Sequence, residues 1–502
     1  MTARAPRELS KSKLIAFRQC PKRLWLELHQ PDKRSDSAGT QRVFQTGHEV
    51  GEIAWQLYDP QGTGTLVDIH AEGWRAAIAR TATLLASGPP QPIFEAGFAA
   101  GGAMAFADVL LPAGAADPTA WRMVEVKSST SVKDYHRDDL AVQSFVAREA
   151  GLHLSSVALA HIDTTWTYPG DGDYRGLLVE KELGDMAVAR SDEVRGWIAQ
   201  AQAVAAMPEA PELETGPHCE KPFACGFIDH CRQDETTAAE FPVAWLPRLQ
   251  SKAAQDYVQQ HGVTDMREMP DALLNERQRR VRTHTLAGTC YFDLDGAQRE
   301  LARHPLPAYF LDFETIQFGV PRWAGTRPFQ SLPFQFSAHH LDAQGTLTHQ
   351  EFLDTSGADH SMNFARELLA ACPEPGPIFV YNAGFEGARI AELAQRFPAQ
   401  SAALLALKCR LVDLLPIAER YFYHPSQQGS WSIKKLLPAI APELPYETLD
   451  GVQDGEMAMQ AYLEASDPDT TPARSAQIRT QLSAYCALDT LALVRVWKYF
   501  NG

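Results

Sequence analysis

Apolar positions along this chain fall into short windows that read as strands or as helical faces. From about Pro305 to the end, "AYFLDFE" (308–314), "PFQFSAHHL" (333–341), "THQEFL" (348–353) and "PIFVYN" (377–382) read as strands. Three strands in quick succession, then helix and strand in alternation, predict a mixed sheet flanked by helices. The closing stretch "LSAYCALDTLALVRVWKYF" (482–500) carries a long helical pattern. Upstream, "WRMVEVK" (121–127) reads as a strand, and "DLAVQSFVAREAGL" and "FQTGHEVGEIAWQLY" read as helices. From about Ala244 to Asp293 the pattern is helical with little strand signal, broken at Gly262 and Pro270. There is no internal repeat and no low-complexity tract. A chain of 502 residues exceeds one core. The expected class is therefore a multidomain α/β protein, with domains at 1–235 and 305–502 and a helical linker at 236–304.

Acidic residues interrupt the apolar pattern at telling places. Asp312 and Glu314 lie one residue apart in a strand, so both point to the same face, ~7 Å apart along the chain. Two like charges on a half-buried face repel each other and resist desolvation, and a divalent cation neutralises them. The competing reading is a strand that ends at Asp312 and turns into solvent. Glu386 falls early in the helix "AGFEGARIAEL", and Asp489 sits mid-helix among Cys486, Ala487, Leu488 and Leu491. An Asp that deep in a helix is no cap. Tyr485 lies one turn before it on the same face. Two cations held by such carboxylates can grip a phosphodiester, and the phenol can orient the attacking water.

Composition adds bounds. Hydrophobic content of 45% and charged content of 22% are ordinary for a globular protein. No apolar run approaches the ~18 residues of a membrane span, and "MTARAPRELSKSK" has no apolar signal core, so a cytoplasmic protein without membrane partners is expected. A net charge of −16 argues globally against nucleic-acid binding, although carboxylates that bind metal are neutralised in the loaded site. Local basic clusters occur at Lys22 and Arg23, from Arg277 to Arg282, and at Lys434 and Lys435. Each also reads as a solvated face; the arginines of 277–282 are expected to be exposed and to help hold substrate. Of eight cysteines, Cys219, Cys225 and Cys231 cluster and Cys20 stands far upstream; Cys290, Cys372, Cys409 and Cys486 read as small core residues.

The C-terminal motifs "DFE", "NAGFE" (Asn382 to Glu386) and "YCALD" (Tyr485 to Asp489), in that order, resemble the D-x-E, N-x₃-D and Y-x₃-D pattern of the DEDDy branch of DnaQ-like 3′→5′ exonucleases. Glu386 stands where that family usually has Asp, and Asp413 in "LVDLLP" is a further acidic candidate. The resemblance implies a ribonuclease-H-like fold and Mg²⁺ or Mn²⁺ on Asp312, Glu314 and Asp489. It also implies catalytic roles for Glu386 and Tyr485.

A second constellation precedes it. Asp108 in "GGAMAFADVLLPAG" is followed by Glu125 and Lys127, which share one face of their strand. A surface ion pair on an edge strand is the plain reading of a lone E-x-K. With Gln143 on the next helix, the arrangement resembles the RecB-type branch of the PD-(D/E)XK nucleases, a restriction-endonuclease-like fold. Ala147 stands where that branch has an aromatic residue. The resemblance implies catalytic roles for Asp108, Glu125, Lys127 and Gln143, with metal on Asp108, Glu125 and His48. Iron–sulfur members of the branch, including CRISPR-associated ones, use one Cys upstream of the core and three downstream. Cys20, Cys219, Cys225 and Cys231 reproduce that split, which implies a [4Fe–4S] cluster, with zinc as the alternative. Together the resemblances imply a metal-dependent nuclease acting on nucleic acid, DNA before RNA, with a site in each domain. The alternatives are a nucleic-acid-binding protein with one silent module and an RNA-processing exonuclease.

Overall fold

The structure is a computed structural model that describes residues 8–36, 38–87, 90–114, 117, 119–233, 239–444, 446 and 449–502. The chain is mixed α/β and divides into two compact units, Met1–Thr236 with Phe318–Gln330, and Thr237–Gln317 with Ser331–Gly502. The expected boundary at 235/236 lies outside the described residues. Among the described residues, no helix is long and apolar enough to cross a membrane.

In the first unit, a sheet runs in the order Thr65–Leu66, Ile93–Ala100, Ala103–Pro112, Trp121–Lys127, Leu154–Ile162 and Leu178–Glu182, and Leu9–Ser10 joins the start of Ala103–Pro112. Trp121–Lys127 and Leu154–Ile162 are parallel, so the chain must cross over between them, and helix Asp134–Glu149 makes that crossing. Its run Leu140 to Ala147 is buried. Segment Phe318–Gln330 packs here as well, Val320 and Phe329 lying with Val50, Ile53 and Ile162.

In the second unit, the sheet order is Leu347–Leu353, Leu332–Leu341, Ala308–Ile316, Ile378–Val380 and Leu411–Asp413. The first three strands are antiparallel and the last two run parallel to Ala308–Ile316. All four strand windows anticipated from alternation are strands. The fifth, Leu411–Asp413, is too short to show a period.

The middle segment differs from the expected linker, because its apolar residues have a core to enter. Leu246, Ala254, Val263, Met266 and Val281 are buried in one cluster with Phe310, Leu493 and Trp497. Asn275 and Gln278 form a capping box at the start of helix Glu276–Ala287, and Gly288 ends it at φ 63°, which only a residue without Cβ adopts freely. Strand Tyr291–Phe292 then pairs with Phe422–Tyr423. Cys372 and Cys486 are buried as expected, whereas Cys290 and Cys409 are exposed. Each of the exposed pair lies in the turn just after a helix, where the chain faces solvent.

Candidate functional site

The second unit gathers three of the expected acids. Asp312 and Glu314 project from strand Ala308–Ile316, and helix Pro472–Asn501 brings Asp489 alongside. Each offers a carboxylate oxygen within 4.8 Å of the others, and Glu314 and Asp489 are only 7% and 8% exposed. Burial, then the neighbouring charge of Asp489, raises Asp312 and Glu314 well above the usual carboxylate range. Asp489 rises less, to about 6, because hydrogen bonds from Tyr446 and Tyr485 and the charge of Lys434 offset part of its burial. The Tyr446 hydroxyl donates to Asp489 Oδ1 at 2.5 Å. A pocket of about 200 Å³ opens on the three acids and is lined also by Tyr381, Lys434 and Tyr485.

Glu386 is not in that group. It is buried early in helix Ala383–Arg396, its Oε2 has no partner, and burial, with repulsion from Asp413, pushes it up to about 8. Its charge still reaches Asp312. The local sequence explains its placement. Asn382 adopts φ 81°, a left-handed conformation Asn tolerates, and turns the chain from strand into helix. Asp413 fixes that turn by accepting from the backbone N–H groups of Asn382 (2.9 Å), Ala383 (3.0 Å) and Leu415 (2.9 Å). Its lone pairs are thus engaged by the backbone rather than aimed at the three acids.

The first unit assembles a different cluster. Glu125 is 1% exposed, and its Oε1 accepts from Lys127 at 2.6 Å and from Lys11 at 2.7 Å. Both ammonium groups also pair with Asp139, Lys11 at 3.6 Å. Burial alone would raise Glu125, but the two lysines hold it well below the usual range. Asp108, whose Oδ2 accepts from the Val126 N–H at 2.7 Å, is raised by burial and by Glu125. Gln143 is fully buried and donates to the Phe106 carbonyl, bracing the strand of Asp108. His48 is exposed on helix Ala38–Tyr58; the buried His136 interacts with the charges of Lys127 and Glu125, and His70 with that of Glu95. Among the described residues, Asp108, Glu125 and His48 do not form a three-ligand group of the kind seen in the second unit.

The four clustered cysteines line one cavity with Arg23, His218 and Phe227. None is in a disulfide. Cys20 ends helix Lys11–Gln19 and caps Pro21–His29, its Sγ accepting from Arg23 N at 3.4 Å. Burial pushes the thiols of Cys20, Cys225 and Cys231 up, and neighbouring cysteines add to it.

Several side chains at these sites escaped sequence reasoning. Glu95 lies alone in the apolar run "IFEAGF", the same signal that marked Asp312, and could have been found by it. Lys11, Asp139 and Tyr446 carry no such signal, and Lys434 stands out in the sequence only as half of a basic cluster with Lys435. Of the arginines of 277–282, Arg279 is exposed as expected, whereas Arg277, Arg280 and Arg282 are partly buried. Arg277 pairs with Glu419, Arg279 and Arg280 bond backbone carbonyls, and Arg282 holds Asp271 and the Met269 carbonyl. Their helix is packed into the core, and these bonds tie it there.

A family model described as a domain of unknown function, DUF2779, matches residues 309–432. It takes in Asp312, Glu314, Glu386 and Asp413 and ends before Lys434 and Asp489. No curated protein matches the chain.

Proposed function

We propose that the protein is a metal-dependent nuclease whose second unit trims nucleic acid, DNA before RNA, from the 3′ end. The observation that carries this reading is the convergence of Asp312, Glu314 and Asp489 within 4.8 Å in a pocket that also holds two phenols and an ammonium group. The mixed sheet with flanking helices supports a ribonuclease-H-like fold for this unit. The donor set suits Mg²⁺ or Mn²⁺, since carboxylate oxygens match hard cations and, among the described residues, the raised Asp312 and Glu314 have no cationic side chain in contact. When bound, such ions supply Lewis-acid charge for the phosphate and acidify water. The chain's own residues do the rest: Asp312, Glu314 and Asp489 hold the ions, Tyr446 fixes the Asp489 carboxylate, and Tyr485 orients water by its hydroxyl. End-labelled single- and double-stranded DNA and RNA, incubated with Mg²⁺ or Mn²⁺, should lose mononucleotides from the 3′ end. Asp312→Asn should abolish this, and cutting that spares the 3′ end would refute it.

For the first unit two readings of PD-(D/E)XK type stand, a second nuclease centre and a nucleic-acid-binding module. Lys11 and Lys127 occupy Oε1 of Glu125, while among the described residues its buried Oε2 has no hydrogen-bond partner and is open to a metal. The four cysteines line one cavity and offer a four-thiolate donor set for a [4Fe–4S] cluster, with zinc as the alternative.

A further inference from the structure

The acidic pocket of the second unit needs something to hold the substrate's own negative charge, and one side chain there is built for it. Among the described residues lining the pocket, Lys434 is the cationic one. Helix Ile433–Ile440 presents it, and its Nζ is held at three points. It donates to the Gln453 carbonyl at 2.6 Å and stands 5.4 Å from the Tyr485 ring centre and 5.6 Å from that of Tyr446. The two rings attract a cation by their faces, so they fix the ammonium without consuming its donors. An ammonium has three N–H donors, and the Gln453 carbonyl takes one. Among the described residues, Lys434 forms no ion pair within 4.0 Å, although its charge lowers both Glu314 and Asp489. Its neighbour Lys435 is exposed and turned to the Gln428 side chain at 3.2 Å. The two lysines of "SIKKLL" therefore differ: one faces solvent and one faces the pocket with donors to spare.

We infer that Lys434 binds a non-bridging phosphate oxygen of the nucleic-acid strand in this pocket, which makes it a substrate-positioning residue. The inference rests on the exonuclease reading above and names the group that would grip the strand there. Tyr446 and Tyr485 thereby act twice, through their hydroxyls on Asp489 and through their rings on Lys434.

The test compares Lys434→Met, Lys434→Gln and Lys434→Arg with the full-length protein. Binding of a fluorescent single-stranded oligonucleotide, with Ca²⁺ in place of Mg²⁺, is measured over a range of salt. Loss of one phosphate contact should weaken binding roughly tenfold at low salt and make the log–log salt slope shallower by about 0.7. KM should rise more than kcat falls, and Lys434→Arg should recover most of the binding. Mn²⁺ binding without oligonucleotide, followed by calorimetry, should be kept. If Met and Gln variants bind with unchanged affinity and slope while the wild type trims 3′ ends, the Lys434 assignment is overturned and the exonuclease reading stands. Loss of Mn²⁺ binding equal to the loss of oligonucleotide binding also overturns it, because the lysine would then serve the carboxylates. A wild type that neither binds nor degrades any oligonucleotide overturns the reading beneath it.

Discussion

At the scale of single residues, the second unit keeps four carboxyl groups where water is scarce. Glu386 is the clearest case, since its side chain is buried and one oxygen has no partner. With its folded value near 8 against an ordinary ~4.3, the folded chain holds a proton that the unfolded chain has released over that interval. Stability from this group is therefore complete at low pH and is lost as the pH rises through about 8. Glu386→Gln keeps the shape and removes the titration. In chelator-treated protein, the variant should match the wild type near pH 4 and exceed it at pH 9, by an amount on the order of 3 kcal/mol. Denaturant melts at the two pH values measure it. Equal melts at pH 9 would mean that the carboxylate finds a counter-charge on ionising. Such a group costs stability when ionised, and its charge acts on Asp312 of the proposed cation site.

At the scale of elements, the sequence was most readable where periodicity was long. Four strands of the second sheet and the helices bearing Gln143, His48, Glu386 and Asp489 follow from alternation or helical spacing. Strand Leu411–Asp413 has three residues and no period to read; its parallel ladder with Ile378–Val380 identifies it, and Asp413 ties it to the next helix through Leu415. The placement of Lys434 and Lys11 was illegible for another reason. A lysine's long stem lets its nitrogen reach a site from many backbone positions, so linear spacing says little about its partner. The cysteines lie between these extremes. Their grouping was visible in the sequence, but only the junction of helices Lys11–Gln19 and Pro21–His29 shows how Cys20 reaches the trio. That junction brings the two ends of the first unit's main segment to one cavity, and the proposed metal there would clamp them and contribute folding energy. Anaerobically purified protein should be brown, and Cys219→Ser should bleach it and make Lys11–His29 and residues 217–232 more open to proteolysis. A colourless protein with one equivalent of zinc would replace the cluster while leaving the clamp.

At the scale of the whole molecule, each unit has its own buried core and its own charged centre, and the two centres differ in kind. Among the described residues, the second has carboxylates facing one another without a cationic side chain in contact; the first has a carboxylate with one oxygen held by two lysines and the other buried without a partner. This difference predicts how activity divides. Removing one of two ammonium groups from Glu125 leaves Lys11 in place, so Lys127→Ala should cost part of a buried ion pair, about 1–3 kcal/mol, and not unfold the unit. Because Lys127 and the second centre belong to separate units with separate cores, 3′ trimming should continue at the wild-type rate. The decisive comparison uses Asp312→Asn, in which trimming is absent, with and without Lys127→Ala. If Asp312→Asn retains no cutting of any substrate yet binds oligonucleotide, the first unit is a binding module. The double variant should then bind more weakly and with a shallower salt dependence. If Asp312→Asn still cuts internally and the double variant does not, the binding-module reading fails, and Lys127 belongs to a second nuclease centre in which Glu125 Oε2 is the oxygen open to metal.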